Sequence, residues 1–191
     1  MTEIKVLIEG YAKEIKNGWK ASSSVVLVRN NKKNILIDTG CNRKRLIVSL
    51  KKEKLKVGDI DLVILTHNHL DHILLAGIFE NAKVLTTEEL YKNDKQIKHN
   101  NLIPGTDLKI IQTPGHCNEH CSVVVPIGKE IYVIAGDVFW WTEGEKQLID
   151  INKIDDAHSE EVNIKKLIES RKKILKIADY IIPGHGKMFK V

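Results

Sequence analysis

Residues 66–72 read THNHLDH, which places His67, His69, Asp71 and His72 within six positions. Imidazole nitrogens and carboxylate oxygens are the donors that zinc prefers and that iron and manganese also accept. A lone histidine is more often structural than ligating. Four such donors directly after an apolar stretch fit neither a core nor a solvated surface, so the segment reads as a metal site. On a helix, residues two apart point to different sides. In a loop leaving a strand, all four side chains can converge. Three further donors each follow an apolar run beside glycine: His116 after IIQTPG, Asp137 after IYVIAG, and His185 in IIPGHG. Layered folds build their sites at such strand ends. One tetrahedral zinc takes three or four ligands. Seven candidates suit two divalent ions that share a carboxylate. Zinc is the ion first expected, with iron or manganese as alternatives. Two ions about 3.5–4 Å apart lower the pKa of a bridging water toward neutrality. With Asp71, Asp137 and a hydroxide subtracted from two dications, a net charge of roughly +1 remains, which favours an anionic substrate or a developing oxyanion. The hydroxide would attack a carbonyl or phosphoryl centre, and Asp71 could orient it as well as ligate.

These donors need strands behind them. IKVLIEG, SSVVLVRN and NILIDTG read as strands separated by turns. RKRLIVSLKKEK reads as a helix, with Leu46, Ile47 and Leu50 on one side. DIDLVILTH is apolar nearly throughout and reads as a strand buried on both faces. DHILLAGIF suits a short helix, KVLTT a strand and EELYK another helix, while residues 93–106 read as loop. LKIIQTPGH, SVVVPI and EIYVIAGD give three more strands, the last ending at Asp137. A long helix is expected from about Ser159 to Ala178, with Ser159 as N-cap, Glu160 and Glu161 in its first turn, and a stripe of Ile164, Leu167, Ile168, Leu175 and Ala178. YIIPGHG closes the chain as strand and turn. Strands with helices between them indicate a layered α/β or α+β domain, here one domain over residues 1–191.

Composition sets the outer bounds. Apolar residues make up 42% and charged residues 29%, as in an ordinary soluble protein. No run is long enough for a membrane helix and the N-terminus lacks a leader pattern, so a cytoplasmic location without membrane attachment is expected. Three cysteines make no disulfide framework. Much of the net +5 charge lies in KKEKLK (51–56) and RKKILK (171–176), which read as solvated helix faces.

The motif set resembles the metallo-β-lactamase superfamily: H-x-H-x-D-H, then His116 in TPGH, Asp137 in AGD and His185 in PGHG, with LIDTG (36–40) as an early Asp-Thr-Gly turn. The resemblance spans nearly the whole chain, in the family's order. It implies a four-layer αββα sandwich with the site on one edge. It also implies that His67, His69 and His116 hold one metal, that Asp71, His72 and His185 hold the other, and that Asp137 bridges. Asp38 would support the ligands from behind, or simply form a tight turn. His120 would do likewise, in preference to acting as a general acid. Departures narrow the branch. His69 stands where the oxygen-reducing di-iron branch has glutamate. Only 47 residues lie between Asp137 and His185, too few for the large cap of the nucleic-acid-processing branch. The compact layout most resembles the small subgroup around metallo-β-lactamase domain-containing protein 1, whose animal members are linked to RNA cleavage.

Other residues divide between structure and substrate. His158 and His99 read as loop residues, the latter solvated. Cys117 and Cys121 read as buried thiols in preference to a zinc knuckle. Trp140 and Trp141 are adjacent on a strand and must face opposite ways, one into the core, the other toward the pocket or a homodimer contact. The function expected is hydrolysis of a small ester, thioester or lactone, through a metal-bridging hydroxide. RNA or another phosphodiester is the alternative substrate, and a metal-bound scaffold without turnover is the second alternative.

Overall fold

The computed structural model describes residues 2–103, 105–155 and 160–191. The chain begins with β1 (Glu3–Ile8), a hairpin of β2 (Tyr11–Ile15) and β3 (Gly18–Ser22), then β4 (Val25–Asn30) and β5 (Lys33–Ile37). Helix α1 (Arg43–Lys52) leads to β6 (Leu62–Ile64), the single turn α2 (Leu70–Ile73), β7 (Lys83–Leu85), β8 (Glu89–Lys92) and β9 (Lys95–Lys98). The second half holds β10 (Lys109–Gln112), β11 (Cys121–Ile127), β12 (Glu130–Trp140), α3 (Ile164–Ile177), β13 (Tyr180–His185) and β14 (Phe189–Lys190).

Two main sheets form, in the orders β1-β4-β5-β6-β7-β8-β9 and β10-β11-β12-β13-β14. The pairs β5–β6, β6–β7 and β12–β13 are parallel. Parallel neighbours need a crossover, and α1, the α2 segment and α3 supply them. The alternation of side chains along each strand sorts the core into layers. On β4, Val26 and Val28 face the second sheet and meet Val123, Val125, Ile134 and Ile182. Val25 and Leu27 face the other way, onto Leu46 and Leu50 of α1. On the second sheet, Val133, Ala135 and Ile181 pack outward against Leu167 and Ile174 of α3. The architecture is therefore the expected four-layer αββα sandwich, an α+β fold of mixed sheets.

Several local expectations fail for identifiable reasons. EELYK is not helical but forms β8, paired with β7 through Val84↔Tyr91. Residues 95–98 are not loop but form β9, joined to β8 by a turn with Asn93 at φ 55°. Strand β12 does not end at Asp137 but runs on to Trp140 beside β13. Helix α3 starts at Ile164, capped by the Asn163 side chain, which accepts from Lys166 N at 3.1 Å. Ser159 and His158 lie outside the described residues, and Glu160 and Glu161 precede the helix. Ile164 is exposed, and the buried stripe is Leu167, Ser170, Arg171 and Ile174. Arg171 thus leaves the supposed solvated face. It is 1% exposed and donates to the carbonyls of Val138, Ile151 and Lys153. His99 is half-buried, with Nε2 2.9 Å from Thr86 O. Among the described residues, no helix is long and apolar enough to cross a membrane.

Candidate metal centre

Parallel strands β5 and β6 end together, so the residues after them share one edge of the first sheet. Leu65 and Thr66 follow β6 into the core. His67 and His69 then occupy a loop, while Asp71 and His72 lie on α2. The expected single loop is thus half loop and half helical turn. The second sheet brings His116 from the loop after β10, Asp137 from within β12, and His185 from the end of β13. Parallel pairing of β12 with β13 sets the last two side by side. Gly184 is needed there, because a Cβ on it would sit 1.7 Å from Asp137 Oδ1.

The donor atoms gather in two groups, His67, His69, His116 and Asp137, and Asp71, His72 and His185, each within 4.8 Å. In the first, His69 Nδ1 lies 3.1 Å from His67 Nε2 and 2.9 Å from His116 Nε2. In the second, His185 Nε2 lies 3.2 Å from Asp71 Oδ2. Asp137 faces both: Oδ2 is 3.5 Å from His116 Nε2 and 3.6 Å from His185 Nε2, and Oδ1 is 3.2 Å from His72 Nε2. The structure therefore brings all seven sequence-derived candidates together.

The outward nitrogens are each engaged behind the cluster. His72 Nδ1 lies 2.7 Å from Asp38 Oδ2. Asp38, 2% exposed at φ 54°, also accepts from Thr66 N and Thr66 Oγ1, both at 2.8 Å. Thr66 Oγ1 in turn meets His67 Nδ1 at 3.0 Å. His116 Nδ1 lies 2.6 Å from Asp155 Oδ2, His69 Nε2 lies 3.3 Å from Glu161 Oε2, and His185 Nδ1 lies 3.1 Å from the carbonyl of Tyr11. Outer bonds of this kind select the tautomer that leaves the inner nitrogen free to ligate.

His120 is wholly buried beneath Asp137. Its Nε2 accepts the Asp137 N–H at 3.1 Å, so Nδ1 carries the proton and donates to Thr113 Oγ1 at 3.0 Å. Thr113 and Ser122 hydroxyls then pass the chain on to the carbonyl of Ala135. Burial, helped by His116, pushes the His120 pKa down to about 3. A neutral ring with both nitrogens engaged holds the backbone of Asp137 in place.

The electrostatics of the metal-free cluster are those of a cation site filled by protons. Burial opposes charge on His72, but Asp137 and Asp38 outweigh it and hold its pKa well above the usual imidazole range. His185 likewise is raised against burial, to about 9, chiefly by Asp137. His67 has the opposite fate: burial and the neighbouring His72 push it well below that range. Burial opposes the charge on Asp137 too, but His72 and His185 hold it well below the usual carboxylate range. His72 Nε2 and Asp137 Oδ1 are both buried and, despite their 3.2 Å separation, too poorly aligned to bond each other. Two buried atoms 3.2 Å apart, each able to give a lone pair and neither hydrogen-bonded, fit a divalent ion held by nitrogen and oxygen donors.

The cluster forms one side of a cleft of about 450 Å³. Ala12, Trp19 and Ala21 of the β2–β3 hairpin, with Leu70 and Trp140, line the rest of it, Trp140 edge-on to His185 with ring centroids 6.4 Å apart. Trp140, the last residue of β12, thus faces the cleft, while Trp141 just beyond the strand packs in the core against α3. Cys117 and Cys121 are buried free thiols, and burial pushes both pKa values up to about 12.

Sequence reasoning missed Asp155, Glu161, Thr66 and the whole hairpin. The hairpin left one signal, Asn17-Gly18 at its turn. Thr66 was visible as the residue between strand and motif. Asp155 and Glu161 left none, since their role depends on the path of the chain between β12 and α3.

Comparison with known proteins agrees with this geometry. A sequence profile of the metallo-β-lactamase superfamily matches residues 18–89. Metallo-β-lactamase domain-containing protein 1 of Xenopus laevis is 33% identical over 98% of this chain and 81% of its own length. The Rattus norvegicus protein of that name is 34% identical over 82% of this chain, which spans 63% of the rat protein. A Thermotoga maritima crystal structure described as a candidate metallo-β-lactamase superposes with a TM-score of 0.73 at 20% identity, covering 100% of this chain and 99% of that one. A dizinc quorum-quenching lactonase gives 0.63 at 18% identity, over 87% and 74% of the two chains. A related fold in a di-iron-bound form gives 0.64 at 19%, over 88% and 89%. At such identities the structural matches establish the fold, while the sequence relatives establish descent. The chain belongs to the metallo-β-lactamase superfamily of metal-dependent hydrolases and carries that family's His/Asp metal-binding cluster.

Proposed function

We propose that the protein is a dinuclear metal-dependent hydrolase of small esters, thioesters or lactones. The observation that carries the substrate class is the cleft. It is small, walled by Trp19, Trp140, Leu70 and two alanines around the cluster, and no Lys or Arg is among its described lining residues. RNA recognition draws most of its affinity from cationic contacts to phosphates. A compact carbonyl substrate with an apolar body matches this wall better. The dizinc lactonase of the same fold is consistent with that class, and zinc is the ion we favour.

In this reading His67, His69 and His116 would hold one ion, Asp71, His72 and His185 would hold the other, and Asp137 would serve both. Bound there, the pair of ions would supply a hydroxide nucleophile near neutral pH and offset negative charge developing on the substrate. The chain's own residues do the rest. Asp38, Thr66 and Asp155 hold the outward N–H groups and so aim the inward nitrogens of His72, His67 and His116 at the centre. Asp71, whose side chain is 26% exposed and lines the cleft, is placed to orient the attacking water and to hold its proton on the carboxylate. Trp19 and Trp140, edge to face at 6.4 Å, give the cleft an aromatic wall for the body of the substrate.

The test is elemental analysis of metal-replete protein, followed by a panel of thioesters, lactones, aryl phosphodiesters and single-stranded RNA. Two ions per chain and carbonyl hydrolysis that depends little on salt are expected. Cleavage of RNA that is salt-sensitive and lost in His67→Ala would replace the carbonyl reading with a nuclease. Full metal content with no turnover across the panel would favour a scaffold.

A further inference from the structure

Helix α3 and the connection leading into it bear on His116 from several directions. Gly115 has room for no side chain, because a Cβ there would lie 2.3 Å from the Leu167 backbone. The Asn163 N–H donates to Gly115 O at 2.7 Å, and Ser170 Oγ donates to Pro114 O at 2.7 Å. Upstream, the buried Arg171 guanidinium grips the connection by the carbonyls of Ile151 (3.0 Å) and Lys153 (2.6 Å). Lys153 Nζ ties it to Trp140 O at 2.8 Å. Immediately beyond these anchors Asp155, its side chain fully buried, meets His116 Nδ1 at 2.6 Å. One carboxylate oxygen accepts from the imidazole, and the other has no hydrogen-bond partner among the described residues. A buried carboxylate kept in that state needs a strong reason to be there.

We infer that Asp155 is a positioning residue for one half of the metal centre: by accepting the His116 Nδ1–H it fixes the tautomer and ring orientation that present Nε2, and so sets the affinity of the His67–His69–His116 half alone. The inference rests on the two-ion reading of the cluster. Its physical content is selectivity. Asp155 touches no member of the Asp71–His72–His185 half, whose carboxylate support is Asp38. A charged acceptor behind a ligating imidazole also raises its basicity, and losing such a partner typically weakens metal binding by about 10- to 100-fold.

The experiment uses the full chain, stripped by chelation and titrated with Zn²⁺ against a chromophoric competitor and with Co²⁺ followed by its visible absorption. Wild type is expected to take two ions. Asp155→Ala should weaken one ion by about 10- to 100-fold and leave the other within about twofold. Asp155→Asn should lose less, about tenfold, because its amide oxygen still accepts the Nδ1–H while the charge is gone. Its metal-free melting temperature should match wild type, which separates positioning from folding. Should Asp155→Ala not fold, Asp155→Asn carries the test. A long-range ¹H–¹⁵N spectrum of the metal-free wild type, taken at alkaline pH where the ring is neutral, should show His116 as the Nδ1–H form, and Asp155→Asn should retain that form. Wild-type affinity for both ions in Asp155→Asn, or equal weakening of both, overturns the inference. A wild type that takes fewer than two ions overturns the two-ion reading instead, and the His116 tautomer then still decides the role of Asp155.

Discussion

Asp38 and Asp155 each accept the Nδ1–H of a cluster histidine, but they stand on different kinds of chain. Asp38 follows β5 directly, and its own N–H is bonded to Ile64 O at 2.8 Å. It holds His72, the Thr66 backbone and, through the Thr66 hydroxyl, His67. Thr39 and Gly40 beside it both donate to the carbonyl of His72. Asp155 lies on a connection between β12 and α3, held by Arg171 reaching in from α3 and by Lys153 reaching out to Trp140 O, and its bond goes to His116. One support is continuous with the sheet and serves both halves of the centre. The other leans on a single ligand. The same chemical device can therefore be woven into the fold or added to it, and mutation should tell the two apart.

The largest effect is expected at Asp38. Asp38→Ala removes the partner of a buried imidazolium and leaves three donors unanswered. Breaking a buried pair of this kind costs about 3 kcal/mol or more. Thermal unfolding should show it in the metal-free protein, and binding of both ions should weaken, where Asp155→Ala weakens one. A mild effect confined to one ion would make the two supports equivalent.

Next comes Asp137, which faces both halves. Asp137→Asn should lower hydrolysis of any accepted substrate by at least about a hundredfold, as for other losses of a critical electrostatic group. Both ions should weaken together. Near-wild-type turnover with full metal content would remove Asp137 from the mechanism.

A pH series on the metal-free protein sharpens the comparison further. His72 and His185 have folded-state pKa values above the ordinary 6.5, the latter about 9. Their contribution is complete below 6.5 and is lost as pH rises from there through 9. His67 and His120 are depressed, the latter to about 3, so their contribution is complete above 6.5 and is lost as pH falls toward 3. The depressed Asp137 adds to the acid-side loss below its ordinary 3.8. Stability should therefore peak near pH 6.5 and fall on both sides. Divalent ions should flatten the alkaline limb, because they replace the protons on His72 and His185. A monotonic profile would contradict the proton-filled picture.

The smallest effect is expected at the cleft wall. Trp19 is 46% exposed, so Trp19→Ala should raise KM several-fold, on the order of 1 kcal/mol for a half-buried aromatic. Metal content should not change.

These outcomes also show what a sequence can reveal. The seven donors were legible because each stands beside an apolar strand that had to be buried, so their convergence followed from the layering. The subdivision into two groups came from family resemblance and not from spacing. EELYK misled because its strand is set by pairing with β7, a tertiary fact that overrides local propensity. RKKILK misled at Arg171 because the carbonyls that receive it are distant in the chain. Asp155 was invisible for the same reason: nothing near it in the sequence marks His116 as its partner.

The β2–β3 hairpin forms a separate two-stranded sheet. It gives the cleft Ala12, Trp19 and Ala21, yet donates no side chain to the His/Asp cluster. The bond it receives from the cluster histidine His185, through Nδ1, ends on the backbone carbonyl of Tyr11, which any residue would provide. On the proposed function, substrate choice and reactivity fall on pieces of chain that can vary independently. A lineage could exchange this short ribbon, and with it the shape of the wall, without passing through an intermediate that has lost its metals.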